Sequence, residues 1–286
     1  MSDYGHDLEF GTFITPVNRP PRQAVELAQQ SERLGFELAS FQDHPYQPAF
    51  HDTWTLMSYI AAATSRIRLT GNVHNLPLRQ PAVLARSVAS LDLLTGGRIE
   101  LGLGAGGFWD AIEAMGGTRL TPGDAVTALA EAIDIIRGIW NAGNSERLVA
   151  GGAFHRVDGA KRGPRPAHEV PIWVGAYKPR MLRLIGTSAD GWLPSLGYLK
   201  PEQLAGMNAR IDDAAHAAGR TAGDIRRLLN VGALSGGAAQ QADTLASLAL
   251  EHGFSTFFIA GDEPRALEAF AHEVAPRVRE LVAQGR

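Results

Sequence analysis

Asp43 and His44 stand side by side in the stretch Gly35 to Tyr46 (GFELASFQDHPY), directly after a mostly apolar run from Glu37 to Gln42 and directly before Pro45. The run has the length and the Phe and Leu content of a short buried strand, and a proline after it ends regular pairing. A carboxylate and an imidazole at the C-terminal mouth of a strand are placed where parallel α/β proteins bind their ligands. His44 suits general acid or base work because the ordinary pKa of histidine lies near neutrality. Asp43 suits either orienting that imidazole or accepting from a ligand. Three further stretches carry chemistry of the same kind: Asn72-Val73-His74-Asn75, the glycine-rich Gly104-Ala105-Gly106-Gly107, and Gly175-Ala176-Tyr177-Lys178 ahead of Pro179. Glycine-rich strand ends let backbone N–H groups approach a phosphate or a flat ring, although a tight turn uses glycine too. The Gly175–Lys178 stretch fits an anion site more closely, since free N–H groups and the dipole of the following helix favour phosphate and Lys178 adds a charge. Trp109, in a loop, is a candidate for lining a pocket, whereas Trp173 and Trp192 read as core. His6, His44, His51 and His74 show neither HxH nor HExxH spacing, so the sequence indicates no metal centre.

These stretches need a scaffold that brings several strand ends together. Leu8 to Ile14, Glu37 to Gln42, Ile67 to Gly71, Arg98 to Leu103, Pro171 to Gly175, Gly191 to Leu193, Leu228 to Ala233 and Phe254 to Ala260 read as strands. Each is followed by a segment of helical periodicity; Pro122 to Trp140 is the strongest, and one helix is expected from Pro264 to Val282. Strands alternating with helices imply a parallel sheet, and eight such units imply closure into a (β/α)8 barrel of the TIM type. An open doubly wound sheet would carry its glycine-rich turn after the first strand, where this chain has Thr15-Pro16-Val17-Asn18. The region from Phe108 to Val170 exceeds an ordinary connection and reads as an insertion after the fourth strand, with a short helix over Asp110 to Met115 and a small hairpin across Gly151-Gly152. No linker or repeat stands out, so residues 1–286 are expected to form one domain. The third strand end then delivers Asn72 to Asn75, and the fourth and fifth deliver the two glycine-containing loops.

Bulk composition removes several functional classes. With 27 basic and 30 acidic residues the chain carries a formal net charge of −3, which argues against a nucleic-acid surface. It contains no cysteine, which excludes disulfides, thiolate metal sites and a cysteine nucleophile. The N-terminus lacks a signal pattern and no apolar run approaches the ~18 residues of a membrane span, so no membrane partner and a cytoplasmic location are expected.

The motifs GFELASFQDH, AAATSRIRLTGNV, QPAVLARSVASLDLLTGGRIELGLGAGG and VPIWVGAYKPRMLRLIGTSADGW, in this order, resemble the bacterial luciferase-like superfamily over about Leu8 to Val231. The resemblance implies a TIM-type barrel that binds FMN or the deazaflavin coenzyme F420 at its C-terminal mouth. The adjacent Asp and His resemble the F420-dependent branch in particular. That likeness implies that Asp43 contacts the deazaflavin and that His44 acts beside the hydride-transfer centre. It further implies a non-prolyl cis peptide at Asn72-Val73 behind the central ring, contacts from Asn75, a cofactor tail meeting Ala105 and Gly106, and a phosphate held by Gly175, Ala176 and Tyr177. A glutamate found in the fourth-strand loop of the sugar-phosphate dehydrogenases of this branch is replaced here by Gly107, which speaks against that activity.

The leading expectation is therefore an F420-dependent oxidoreductase that moves a hydride between the deazaflavin and a small organic substrate. His44 is its proton donor or acceptor, and Tyr46, His74 and Trp109 line the substrate pocket. The alternatives are an FMN-dependent monooxygenase using reduced flavin and oxygen, and a non-catalytic flavin-binding barrel. A homodimer is the expected assembly.

Overall fold

A computed structural model describes residues 3–286. Strands β1 (Glu9–Ile14), β2 (Leu38–Phe41), β3 (Arg68–Gly71), β4 (His74–Asn75), β5 (Leu101–Gly104), β8 (Ile172–Val174), β9 (Gly191–Trp192), β10 (Arg226–Gly232) and β11 (Thr256–Ala260) form one parallel sheet in the order β3-β2-β1-β11-β10-β9-β8-β5-β4. A parallel bridge between Leu69 and Ile99 joins the two ends of that order, so the sheet closes on itself. β3 and β4 are halves of one barrel strand interrupted at Asn72-Val73: β3 pairs with β2, and β4 pairs with β5. Eight strand positions therefore surround the lumen, as the alternation of segments predicts, with nine hydrogen-bonded pieces because of the interruption. The Asn72–Val73 peptide bond is cis.

The strands are short and almost wholly buried; β2, β5 and β8 have no exposed residue. A parallel sheet covered by helices on its outer face and filled on its inner face favours such unbroken apolar runs. The outer core includes Ala39 and Phe41 of β2 and Leu101 and Leu103 of β5, packed against the helices. A second, smaller cluster of Leu38, Trp173, Leu193, Leu228 and Phe258 fills the lumen, and Phe13 and Val73 pack against it. This plug makes the barrel a packed core with a floor below its C-terminal mouth.

The helices α1 (Gln23–Arg33), α2 (Thr53–Ala63), α3 (Pro81–Thr95), α6 (Pro179–Ser188), α7 (Pro201–Ala217) and α8 (Ala238–His252) follow the strands. Asp52 caps α2 by accepting from the Thr55 N–H at 2.9 Å. The insertion after β5 holds α4 (Trp109–Ala114), α5 (Pro122–Trp140) and the antiparallel hairpin β6 (Leu148–Gly151) with β7 (Arg156–Ala160). The expected single C-terminal helix is instead α9 (Pro264–Ala269), a π-helical turn over Phe270–Val274, and α10 (Ala275–Gly285). Phe270 and Val274 are buried at that turn, where Phe270 meets Phe10 edge-on and Phe36 face-on. No helix among the described residues is long and apolar enough to cross a membrane.

The N-terminal face is closed by charge pairs. Arg68 bridges Glu9 at 2.5 Å and Glu100 at 2.6 Å, and Arg226 reaches Glu9 at 3.0 Å. Beside them, the wholly buried Asp92 accepts from the N–H groups of Ile99, Ala167 and His168 and lies 3.0 Å from His168 Nδ1. Conserving order at this end leaves the opposite mouth free to carry loops of varied chemistry.

Candidate active site

The C-terminal mouth opens into a cavity of about 1340 Å³. Its walls include Asp43, His44 and Tyr46 from the β2 loop, Asn72 to Asn75, Gly104 to Trp109, and Gly175 to Met181. The four strand ends singled out by sequence therefore meet in one place.

The β2 end is fixed before it displays His44. The buried Thr53 hydroxyl donates to the Gln42 carbonyl, tying the strand end to the start of α2. Asp43 is only 1% exposed and turns its carboxylate into the protein. Its Oδ2 accepts from Arg79 Nε at 2.6 Å and from the Asn75 N–H at 2.8 Å, while Oδ1 accepts from Arg79 Nη2 at 2.6 Å. Arg79 also donates to Asp52 at 2.8 Å. Burial pushes the Asp43 carboxyl up, but the Arg79 guanidinium outweighs it, with a smaller pull from His74, and the pKa falls well below the usual carboxylate range. Asp43 is thus an ionised clamp that joins the β2 loop to the third strand end. Arg79 is the residue that sequence reading missed; its signal is that it is the only formally charged side chain between Leu69 and Ala85.

His44 is half-buried, and its ring is stacked between aromatic neighbours. Tyr46 lies parallel to it at 5.2 Å, Phe50 at 6.5 Å, and Phe108 meets it edge-on at 5.3 Å. Burial lowers its pKa and the nearby Asp43 opposes only part of that shift, so the imidazole is neutral at pH 7. Tyr46 has its phenol pKa raised, chiefly by burial. The Tyr46 hydroxyl and the Asn75 side-chain oxygen are both buried without a hydrogen-bond partner among the described residues.

His74 also borders the cavity, but its side chain is 0% exposed, packed under Gly71 and against the Trp54 ring at 5.4 Å, with Nδ1 3.6 Å from Asp43 Oδ2. Trp109, expected in a loop, begins α4 and is partly exposed on the cavity wall.

The interruption between β3 and β4 is held from the far side of the barrel. Asn72 Nδ2 donates to Asn230 Oδ1 at 2.6 Å, and Asn230 Nδ2 donates back to Asn72 Oδ1 at 3.0 Å and to Ser195 Oγ at 3.1 Å. Val73 projects above the lumen plug onto the fourth and fifth strand ends. A Cβ on Gly104 would lie 2.5 Å from Val73 Cγ2, so glycine is required for that approach. Gly106 has φ +100°, and a Cβ there would lie 2.8 Å from the Trp109 ring. At the fifth strand end, the Ser195 N–H donates to the Tyr177 hydroxyl at 2.9 Å, and Trp192 Nε1 donates to the Ala176 carbonyl at 2.9 Å. The N-terminus of α6 has no side-chain cap, and Lys178 and Arg180 stand exposed beside it on the cavity wall. Among the described residues no group of three or more side chains is arranged to hold a metal ion.

Comparisons with known proteins show the family of the chain. A family model described as luciferase-like monooxygenase matches residues 8–284. An F420-dependent glucose-6-phosphate dehydrogenase of Intrasporangium calvum is 30% identical over 220 residues, which are 74% of this chain and 65% of that relative. A second enzyme of that name, from Kineococcus radiotolerans, is 28% identical over 240 residues, covering 81% of this chain and 69% of its own. Among solved structures, an F420-dependent secondary alcohol dehydrogenase in complex with an F420-acetone adduct superposes with a TM-score of 0.85 at 18% identity, covering 96% of this chain and 100% of that one. At that identity the likeness concerns the fold.

Proposed function

We propose that this chain, which belongs to the luciferase-like monooxygenase family, is an oxidoreductase that uses the deazaflavin coenzyme F420. The observation that carries the reading is the His44 imidazole, which stands at the cavity wall with no hydrogen bond to its ring among the described residues, next to a clamped Asp43. The names of the sequence relatives support the choice of F420 over FMN.

The mouth fits such a group on three counts. Asn75 Oδ1 is a buried polar atom that lacks a partner and borders the ligand space. Val73, seated against Gly104, offers an apolar face at the cavity on which a flat ring can lie. The uncapped start of α6, with Lys178 and Arg180, suits a phosphate.

When bound, the deazaflavin supplies a carbon that takes or gives a hydride. The protein's part is then proton handling and exclusion of water. His44, neutral at pH 7, takes the hydroxyl proton of an alcohol undergoing oxidation, and returns it in the opposite direction. Asp43 fixes the loop through Arg79 and the Asn75 N–H and thereby positions His44. The aromatic neighbours of His44 keep water from the reacting atoms.

Titration of the purified protein with oxidised F420 and, separately, with FMN tests the proposal. Tight binding of F420, followed by its fluorescence, with FMN much weaker, is the expected result. A preference for FMN, with oxygen uptake on reduction, would overturn it in favour of a monooxygenase.

A further inference from the structure

We propose that the substrate meeting His44 is a neutral alcohol or carbonyl compound with an apolar, ring-sized body, and that sugar phosphates and other anions are excluded. This rests on the oxidoreductase reading above. It goes against the substrate that the names of the sequence relatives suggest.

The charges of the mouth are segregated. Only Asp43, Lys178 and Arg180 carry a formal charge among the residues lining the cavity. Lys178 and Arg180 follow β8, which in the closed sheet is three strand positions from β2 through β5 and the interrupted β3–β4 strand. Arg180 leans towards α5, where its Nη1 lies 3.0 Å from where a Cβ on Gly123 would be. The cationic side of the mouth is thus remote from His44 and serves the phosphate of a cofactor.

The side that holds His44 is aromatic. Tyr46 and Phe108 enclose the imidazole at 5.2 and 5.3 Å and lie 6.1 Å from each other. Phe108 is 60% exposed, an apolar ring left open to the cavity. The one cation behind this wall is Arg79, and its charge is already taken by two carboxylates, Asp43 and Asp52. That group of three carries a net charge of −1. An anionic substrate brought beside His44 would lose water, find no cation, and face that excess negative charge. A flat apolar body would instead bury surface against Tyr46 and Phe108.

The unpartnered hydroxyl of this wall matches the same class: Tyr46 Oη offers a donor that a hydroxyl or a carbonyl oxygen can accept. A polyol would bring more hydroxyls than this wall can satisfy. In oxidation, the carbinol C–H bond breaks, its electron pair leaves as hydride to the deazaflavin, and the hydroxyl proton passes to His44. The carbon becomes a carbonyl, and reduction is the reverse.

Acetophenone, benzoate and glucose 6-phosphate separate charge from shape, since the first two share a ring and similar size. Their affinities are measured by calorimetry on the protein with and without oxidised F420, and turnover of 1-phenylethanol and glucose 6-phosphate is followed by loss of F420 absorbance. The expected result is acetophenone bound roughly tenfold or more tighter than benzoate, no binding of glucose 6-phosphate, and turnover of the alcohol alone. Phe108→Arg should then tighten benzoate by roughly tenfold, while Phe108→Trp keeps the wild-type order. Benzoate or glucose 6-phosphate binding as tightly as acetophenone, no binding of acetophenone at millimolar concentration, or an unchanged benzoate affinity in Phe108→Arg would each overturn the inference. Failure to bind F420 would instead overturn the cofactor reading, while the order of affinities on the protein alone still decides the substrate class. F420 binding with turnover of glucose 6-phosphate would overturn the substrate class only.

Discussion

Replacing Asp43 by asparagine tests whether this carboxylate supports the loop or touches the cofactor directly. The change keeps size and removes charge. Three hydrogen bonds converge on the carboxylate, from the Asn75 N–H and twice from Arg79, with the side chain wholly buried. An asparagine amide can accept on one side only, and its NH2 would face a donor on the other. Breaking a buried pair by removing one partner costs about 3–5 kcal/mol. Arg79 is 17% exposed and keeps Asp52 at 2.8 Å, which places the cost near the low end, about 3 kcal/mol. For a domain of this size that corresponds to a fall in Tm of roughly 6–12 °C at pH 7. Because the folded-state pKa is depressed, the stabilisation is complete above the unfolded value near 4 and fades as pH falls below it towards the folded value. The gap between wild type and Asp43→Asn should accordingly narrow between about pH 4.5 and pH 2.5. Thermal melts across this range, with F420 titrations at pH 7, provide the readout, and Arg79→Met completes a double-mutant cycle. An unchanged Tm together with lost F420 affinity would refute the clamp and return Asp43 to the direct cofactor contact that family resemblance implies.

The other expectations concern separate parts of the fold. His44→Gln should lower turnover by about 10²- to 10⁴-fold while leaving F420 affinity within a factor of a few, measured by steady-state rates beside a fluorescence titration. In wild type the rate of alcohol oxidation should rise with pH through a pKa below the ordinary value of histidine, since burial favours the neutral base. Asn230→Ala should destabilise the fold by about 2 kcal/mol in urea melts, because it removes the reciprocal partner of the buried Asn72 amide, which keeps only Ser40 Oγ at 3.2 Å; a cost under 0.5 kcal/mol would mean that Ser40 and water satisfy Asn72 equally well. At the N-terminal face, Glu100 and Asp92 raise the pKa of His168 against its partial burial. That contribution is complete below about pH 6.5 and is lost as pH rises through the folded value, so His168→Gln should cost more at pH 5.5 than at pH 8.5 in thermal melts.

Strand ends were the legible part of this site, for a physical reason. A parallel barrel puts every C-terminal strand end on one face, so any polar motif that closes an apolar run is delivered to the same mouth without knowledge of how the strands pair. Asp43-His44, Asn72–Asn75, Gly104–Gly107 and Gly175–Lys178 all arrive there. Arg79 was not legible in that way. It follows the short 3₁₀ turn Leu76–Leu78 at the approach to α3, 36 residues beyond Asp43, and only the side-by-side placement of the second and third strand positions lets its fork reach back. The same limit applies to side-chain direction inside β4. A two-residue strand after a bulge has no run of alternation from which to read its faces, so the packing of His74 against Trp54 and Asp43 could not be read from the sequence.

The Asn72–Asn230 pair shows why the remainder needs three dimensions. β3 and β10 lie four positions apart among eight, on opposite sides of the lumen, and their residues are 158 apart in sequence. Neither local pattern nor strand adjacency brings them together. They meet because the lumen plug of Trp173, Phe258 and their neighbours ends just below the mouth, and because the interruption after Gly71 carries Asn72 inward over that floor. Above the apolar plug the two amides pair reciprocally, and their remaining donors reach Ser40 Oγ from Asn72 and Ser195 Oγ from Asn230. The element facing the ligand space at the third strand is therefore secured from the opposite wall. Its position depends on the whole barrel being closed, so opening the sheet at any seam should be felt at the mouth before the N-terminal charge network gives way.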